Sequence, residues 1–278
     1  MTPEPDAICE SGGAQGLPGG WLIPDWPAPA NVRALCTTRV GGVSQGLWAS
    51  LNLASHVGDD PLAVAANRGL LQRHLPAAPV WLAQVHGTGV IDPATHVHSA
   101  EPPEADAART CALRTPCAVL TADCLPVLLC DSGRAPPGGT GADTMATEVA
   151  AIHAGWRGLA DGVIEATAGC MHTHPQDWLA WIGPCIGPAA FECGDDVHEA
   201  FCDRHPEAGA AFRPHPQQPR KWLGDLPAIA RQRLMALGVP AAAIHGGEHC
   251  TVAESGRFYS FRRDGVTGRM ASIVWLDG

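Results

Sequence analysis

Two apolar stretches flanking residue 140 constrain this chain more than any other feature. The first, TADCLPVLLCD, spans residues 121–131, and the second, EVAAIHAGWRG, spans residues 148–158. Short runs rich in Val, Ile and Leu and bounded by turn formers read as buried strands. Buried strands hold side chains rigidly, which is what a reactive site requires of its support. Cys124 opens the first run and His153 closes the second. Residues 132–147 between them are rich in Gly, Pro, Ala and Thr and read as an exposed, flexible excursion.

The elements around this centre follow from local chemistry. Residues 31–37 read as a strand leading into TTRVGGVSQG, residues 37–46. That segment is a loop in which backbone approaches a ligand closely, with Arg39 as a fixed cation, or else a plain hairpin with a surface arginine. No Gly-Lys-Ser/Thr follows it, so it is not a phosphate-binding P-loop, and it lacks the dinucleotide fingerprint. SLNLASHVGDD, residues 50–60, places Asn52 and His56 in a small, apolar context. Asp60-Pro61 starts a helix whose buried face would be Leu62, Ala65, Ala66 and Leu70. Residues 80–85 read as a strand ending at His86-Gly87, a position well placed for a site, although a histidine there, taken alone, is more often a hydrogen-bonded structural one.

Residues 91–115 read as irregular connection, and 117–130 as the central strand region with a break at Pro126. A helix over 158–171 would bury Leu159, Val163, Ala166 and Cys170. A strand over 178–183 precedes PCIGPAAFECG, a turn-rich loop carrying Glu192. Asp195 or Asp196 would cap the next helix, through Arg204. Asp225 would cap another, stopped by Gly238 and Pro240. The tail from His249 is strand-like at both ends around a cationic segment of Arg262, Arg263 and Arg269. Irregular alternation of strands and helices implies an α+β fold: one domain over 21–278 with a mixed, largely buried β-sheet layered with helices. Residues 1–20 are Gly/Ala/Pro-rich and expected to be flexible.

Composition narrows the function classes. The chain is 46% hydrophobic and 17% charged, a globular balance. A formal net charge of −10 argues against nucleic acid bound through phosphates. The 11 cysteines are odd in number and too sparse for a disulfide scaffold. The first twenty residues lack a secretory signal and no apolar run approaches ~18 residues, so a reduced, cytoplasmic protein without a membrane span is expected. Lys221 is the sole lysine, and nothing around it resembles a buried Schiff-base pocket.

His86, Cys124 and His153 remain as the reactive set. One thiolate and two imidazoles suit zinc and leave a fourth position open for chemistry, although such long spacings are unspecific. Cys124 as nucleophile with His153 as base is a second arrangement of the same residues. A copper oxidase would need paired histidines close together. His96-Val97-His98 and His172-Thr173-His174 have that spacing but lie in polar connecting segments, where adventitious copper is the expectation. A non-enzymatic scaffold is a further class that composition leaves open.

TTRVGGVSQG, SLNLASHVGDD, QVHGTGV, ADCLPVLLCD, HAGWRG, WIGPCIGPAAFECG and FYSFRRDGVTGRMAS together resemble the YfiH family. Its members have been called multicopper polyphenol oxidoreductases, laccase-domain proteins and peptidoglycan editing factors. The resemblance runs in order from about residue 21 to 276. It implies an α+β fold similar to the catalytic domain of a cytotoxic deamidating toxin. It implies one metal ion, most often zinc, on His86, Cys124 and His153. It also implies phosphorolysis of adenosine, inosine and S-methyl-5′-thioadenosine, and deamination of adenosine, with small-molecule nucleosides and phosphate as partners. Deamination would need a proton-shuttling carboxylate, for which Glu192 is the candidate. Phosphorolysis would need an anion pocket, for which Arg39, Asn52, His56 and Arg157 are candidates. The rivals within the resemblance are a Cys124/His153 thiol hydrolase acting on a cell-wall precursor or amide, and the older copper oxidase label. The 132–147 excursion is longer than the family's short turn, and Cys193 stands where an aliphatic residue is usual; neither departure touches the three ligands.

Overall fold

Three sheets and the helices between them build the molecule, seen here in a computed structural model that describes residues 18–96, 101–133 and 145–278. The expected flexible start falls outside these residues as far as residue 17. So do residues 134–144 of the expected excursion, as well as Val97 and His98. In chain order the elements are β1 (Val32–Cys36), α1 (Pro61–Gln72), β2 (Val90–Ile91), β3 (Ala107–Thr110), β4 (Cys117–Thr121), β5 (Leu125–Asp131) and β6 (Val149–Ala154). They continue with α2 (Trp156–Asp161), α3 (Val163–Cys170), β7 (Trp178–Ile182), β8 (Glu192–Gly194), α4 (Asp195–Cys202), β9 (Phe212–Pro214) and β10 (Lys221–Gly224). The chain closes with α5 (Leu226–Leu237), β11 (Ile244–Gly246), α6 (Phe261–Asp264) and β12 (Met270–Leu276).

A six-stranded mixed sheet runs β11-β7-β5-β6-β3-β2, with β5 and β6 antiparallel at its centre. One face carries Val127, Leu129, Ala150 and Ile152 into a core shared with Val163, Ile164, Ile229 and Leu234 of α3 and α5. The other face sends Leu128, Cys130, Val149 and Ala151 against Cys117, Val119 and Val274 of the three-stranded sheet β1-β12-β4. Successive side chains of β5 and β6 are therefore buried on both faces, which is why these strands are continuously apolar. A small sheet, β8-β10-β9, packs at the periphery. The α+β expectation holds. No helix among the described residues is long and apolar enough to cross a membrane.

Several local expectations change. The break in the central region falls at Asp123, between β4 and β5, and Pro126 sits inside β5 with its carbonyl accepting from Gly183 N. Residues 80–85 form only an isolated bridge, Ala83 to Glu104. The stretch 91–115 is not merely connection, since it contains β3. The helix expected over 158–171 starts at Trp156 and is interrupted at Gly162, whose φ of 97° ends α2 and begins α3. Asp60 and Asp225 do cap α1 and α5, accepting from Leu62 N and Ala228 N. Asp195 caps nothing; it binds Arg220 and Trp222, and Gly194 occupies the cap position. From His249 onward, the first part of the tail makes only a bridge between Cys185 and Cys250.

The inner face of α1 is Val64, Asn67 and Leu71, while Leu62 is 80% exposed. Asn67 rotates the helix. Its side chain accepts from Val43 N and donates to Ser44 Oγ, Ser50 O and Asn52 O, closing the glycine-rich loop onto α1. A polar residue on the buried face is invisible to an apolar-periodicity reading.

Candidate metal centre

The site forms where three chain reversals meet at one end of the β5–β6 pair. Asp123, at the β4–β5 turn, has φ 86°, a left-handed conformation in which a carboxylate is tolerated only when it is well held. Its side chain accepts from Thr251 Oγ1 at 2.5 Å, Ser260 Oγ at 3.0 Å and Arg262 N at 2.6 Å. This fixes Cys124 at the start of β5. His86, at φ 62°, occupies a second strained turn.

Asp106, just before β3, holds that second turn and joins it to His153. Its side chain is fully buried. Its Oδ2 accepts from Val85 N and Gly87 N, and its Oδ1 accepts from His86 N at 2.9 Å and His153 Nδ1 at 2.7 Å. With Nδ1–H committed to a carboxylate, His153 turns Nε2 toward Cys124 as the ring's ligand atom, the arrangement usual for a metal-binding imidazole. His86 Nε2 lies 3.5 Å from Cys124 Sγ. One donor atom from each of His86, Cys124 and His153 lies within 4.8 Å of the others.

The glycines of HAGWRG permit this convergence. A Cβ on Gly155 would sit 2.5 Å from His86 Cδ2 and 3.3 Å from Cys124 Sγ, and one on Gly158 would meet Gly87 O at 2.7 Å. Both positions exclude any side chain because the loop carrying His86 lies directly against them.

Electrostatically the three residues act as a unit. Burial pushes the Cys124 thiol up. The charge and hydrogen bond of His153, aided by His86, outweigh that and bring it down to about 6. Burial pushes His153 down, and the Cys124 thiolate with Asp106 reverses it, raising it to about 9. Burial likewise works against the Asp106 carboxylate, but bonds from His153, Gly87 and His86 leave it below its ordinary value. In metal-depleted protein, iodoacetamide should therefore alkylate Cys124 with an inflection near pH 6, fast above it and slow below, instead of the ordinary 9.0. Peptide mapping by mass spectrometry distinguishes it from the exposed Cys111 and Cys170. An inflection near the ordinary value would mean that the thiolate–imidazolium pair does not form.

Two cavities flank Cys124. One, of about 250 Å³, is lined by His56, Gln84, His86, Cys124, His153 and Arg269, among others. The second, of about 150 Å³, is mostly apolar, with Trp156, Ile186, Phe191, Leu226 and Phe261 around Asp123, Cys124 and Arg262. Phe261, 58% exposed, borders both.

The other sequence candidates separate into three groups. His56 lines the larger cavity, and burial together with Arg269 and Arg68 lowers its pKa and favours the neutral ring. Asn52 is fully buried and lines neither cavity; its Oδ1 accepts from Arg269 N at 3.0 Å, so it positions Arg269. Arg39, Arg157 and Glu192 line neither cavity. Arg39 donates to Ala49 O and Ser255 O and lies over Tyr259, Arg157 covers the Trp156 ring, and Glu192 faces His215 and Lys221 on the small sheet. Sequence reasoning missed Asp106, Gln84 and the placement of Arg269. Asp106 carried one faint signal, a carboxylate among alanines at the start of an apolar run.

The chain belongs to the family described as multi-copper polyphenol oxidoreductase laccase, which matches residues 33–277. It is 48% identical to a purine nucleoside phosphorylase of Pseudomonas aeruginosa, over 92% of this chain and 98% of that one. The purine nucleoside phosphorylase YfiH of Escherichia coli is 46% identical over the same shares. Among solved structures, a Neisseria meningitidis protein superposes with a TM-score of 0.84 at 48% identity, covering 93% of this chain and 99% of that one. YlmD of Geobacillus stearothermophilus superposes with a TM-score of 0.80 at 32% identity, covering 95% and 98%. The YfiH resemblance and the fold read from sequence agree with these relatives.

Proposed function

We propose that this protein is a zinc-dependent purine nucleoside phosphorylase acting on adenosine, inosine and S-methyl-5′-thioadenosine. The convergence of His86, Cys124 and His153 between a cavity bearing polar side chains and a more apolar one carries the reading. The names of the bacterial relatives support it. Two imidazoles and a thiolate fit zinc, and the 3.5 Å between Cys124 Sγ and His86 Nε2 matches the edge of a tetrahedral zinc site, about 3.5 Å.

His86, Cys124 and His153 would hold the ion, which when bound supplies Lewis acidity beside the reacting sugar. Arg269, fixed through Nη1 by the carbonyls of Thr267 and Gly268, presents its charge to phosphate in the larger cavity, and neutral His56 adds one N–H donor. The apolar cavity suits a flat purine against Trp156, Phe191 and Phe261. Phosphate oxygen then bonds to C1′ as the C1′–N9 bond breaks, and the departing base takes the electron pair and the proton that hydrogen phosphate gives up. Deamination of adenosine draws less support. Among the described residues no carboxylate lines the larger cavity, and Asp123 in the smaller one is already occupied by three donors.

A second reading rests on the chain Asp106–His153–Cys124, a carboxylate, imidazole and low-pKa thiol in the order of a thiol hydrolase. One experiment separates them. Inosine is incubated with metal-depleted and zinc-reloaded protein, with and without phosphate, and free base is measured by chromatography. Phosphorolysis predicts base only when zinc and phosphate are both present, and none from Cys124→Ser. Base release without phosphate, or none under any condition, would sink the proposal. Ammonia released from adenosine would add deamination. Amide cleavage by metal-free protein, abolished by alkylation, would favour the thiol hydrolase.

A further inference from the structure

The β3–β6 pair that carries the candidate metal centre at one end carries a second ligand cluster at the other. Asp106 and His153 lie at the first end. At the opposite end, Cys111 follows β3 and Glu148 precedes β6, and His172 joins them from the turn after α3. Glu148 and His153 are five residues apart along extended chain, about 16 Å at the rise of a strand. The two clusters therefore share no ligand.

We infer that Cys111, Glu148 and His172 form a second, solvent-accessible site for a borderline divalent ion such as zinc. One donor atom from each lies within 4.8 Å of the others. Cys111 Sγ is 3.5 Å from His172 Nδ1, the edge length of a tetrahedral zinc site, about 3.5 Å, and the same separation as Cys124 to His86. Glu148 Oε2 lies 3.7 Å from the same His172 nitrogen. Thiolate, imidazole and carboxylate are each suitable zinc ligands, and three protein ligands leave the fourth position to water.

The three differ in freedom in a way that suits capture from solution. Glu148 is fully buried and immobilised: Oε1 accepts from Thr173 Oγ1, and the carboxylate also accepts from the backbone N–H groups of His172 and Thr173. It is a preset anchor, and the same bonds hold the turn that bears His172. Cys111 and His172 are exposed, with the His172 side chain 70% accessible, so they can close on an ion. Binding replaces the thiol proton of Cys111, which passes to solvent.

Arg109 is the opposing charge. Its Nη2 lies 3.0 Å from His172 Nδ1 and 2.8 Å from Nε2, and its Nη1 is 3.7 Å from Cys111 Sγ. Its Nε is tied to Cys170 O at 2.7 Å and lies 4.0 Å from Glu148, while Nη1 is 3.9 Å from Asp92 Oδ2. An arriving cation repels the guanidinium, and Asp92 is in place to receive it.

The test is zinc titration of metal-depleted protein against a chromogenic chelator, in wild type, Cys111→Ser, Cys124→Ser and the double variant. Cys111 is exposed, so its substitution leaves the core intact. The expected capacities are two equivalents in wild type, one in each single variant and none in the double. If the first centre holds no metal, wild type binds one equivalent that is lost only with Cys111→Ser, and the second site still stands. A second equivalent that survives Cys111→Ser, or a wild type whose single equivalent vanishes with Cys124→Ser, overturns it. Cobalt(II) loaded into Cys124→Ser should show a thiolate-to-cobalt charge-transfer band that disappears on adding Cys111→Ser. Cobalt bound without that band would equally reject the site.

Discussion

Asp106→Asn is expected to weaken zinc binding by about 10- to 100-fold, although Asp106 contacts no metal. The carboxylate sets the His153 ring by accepting from Nδ1, and sets the strained His86 turn by accepting from three consecutive backbone N–H groups. Asparagine retains one acceptor oxygen and turns an amide N–H₂ toward donors that have nothing to offer it. It also removes the buried negative charge facing His153. Breaking such a pair typically costs roughly 3–5 kcal/mol, so the melting transition should fall clearly as well. The pH dependence has a definite sign. The folded-state pKa of Asp106 is depressed, so its contribution is present above the ordinary carboxylate value of 3.8 and is lost as pH falls through the lower folded value. Zinc content after dialysis and denaturant midpoints measured from pH 3 to 8 check both parts. Full zinc retention in Asp106→Asn would mean that the histidines are oriented by the ion alone.

Arg269→Gln is expected to raise the phosphate concentration needed for half-maximal phosphorolysis by about 10- to 100-fold, the equivalent of one charge-assisted contact of roughly 1.5–3 kcal/mol. Metal content should be unchanged, because Arg269 is held by main-chain carbonyls and by Asn52 and not by His86, Cys124 or His153. Arg39→Gln serves as contrast. Arg39 secures the 39–50 loop through Ala49 O and, through Ser255 O, ties it to the tail, so its loss should lower thermal stability more than phosphate saturation. Initial rates over a phosphate series, with zinc analysis of each variant, distinguish the outcomes. Unchanged phosphate saturation in Arg269→Gln would place the anion elsewhere.

What could be read in one dimension was whatever local chemistry encodes. The continuous apolarity of residues 125–130 and 149–154 announced strands buried on both faces, and these are the central pair of the large sheet. Asp60-Pro61 and Asp225 announced helix starts because a cap acts within three residues. His86, Cys124 and His153 stood out as residue types beside glycine and proline. What the sequence could not supply was everything that depends on approach between distant segments. Asp106 is silent in sequence because its role exists only when residues 85–87 and 153 close around it. The phase of α1 was misread because Asn67 faces inward to bind loop backbone and the Ser44 hydroxyl, 15 to 24 residues away. Arg39, Arg157 and Arg269 look alike as cations in glycine-containing motifs. Which of them faces the cavity is decided by the carbonyls and rings each meets in the folded chain. The sequence by itself thus determined the family, the strand pair and the identities of three donors. Tertiary packing alone decided their convergence, their coupled ionisation and the charge that faces them, because hydrogen bonds and Coulomb interactions depend on distance in space and not on separation along the chain.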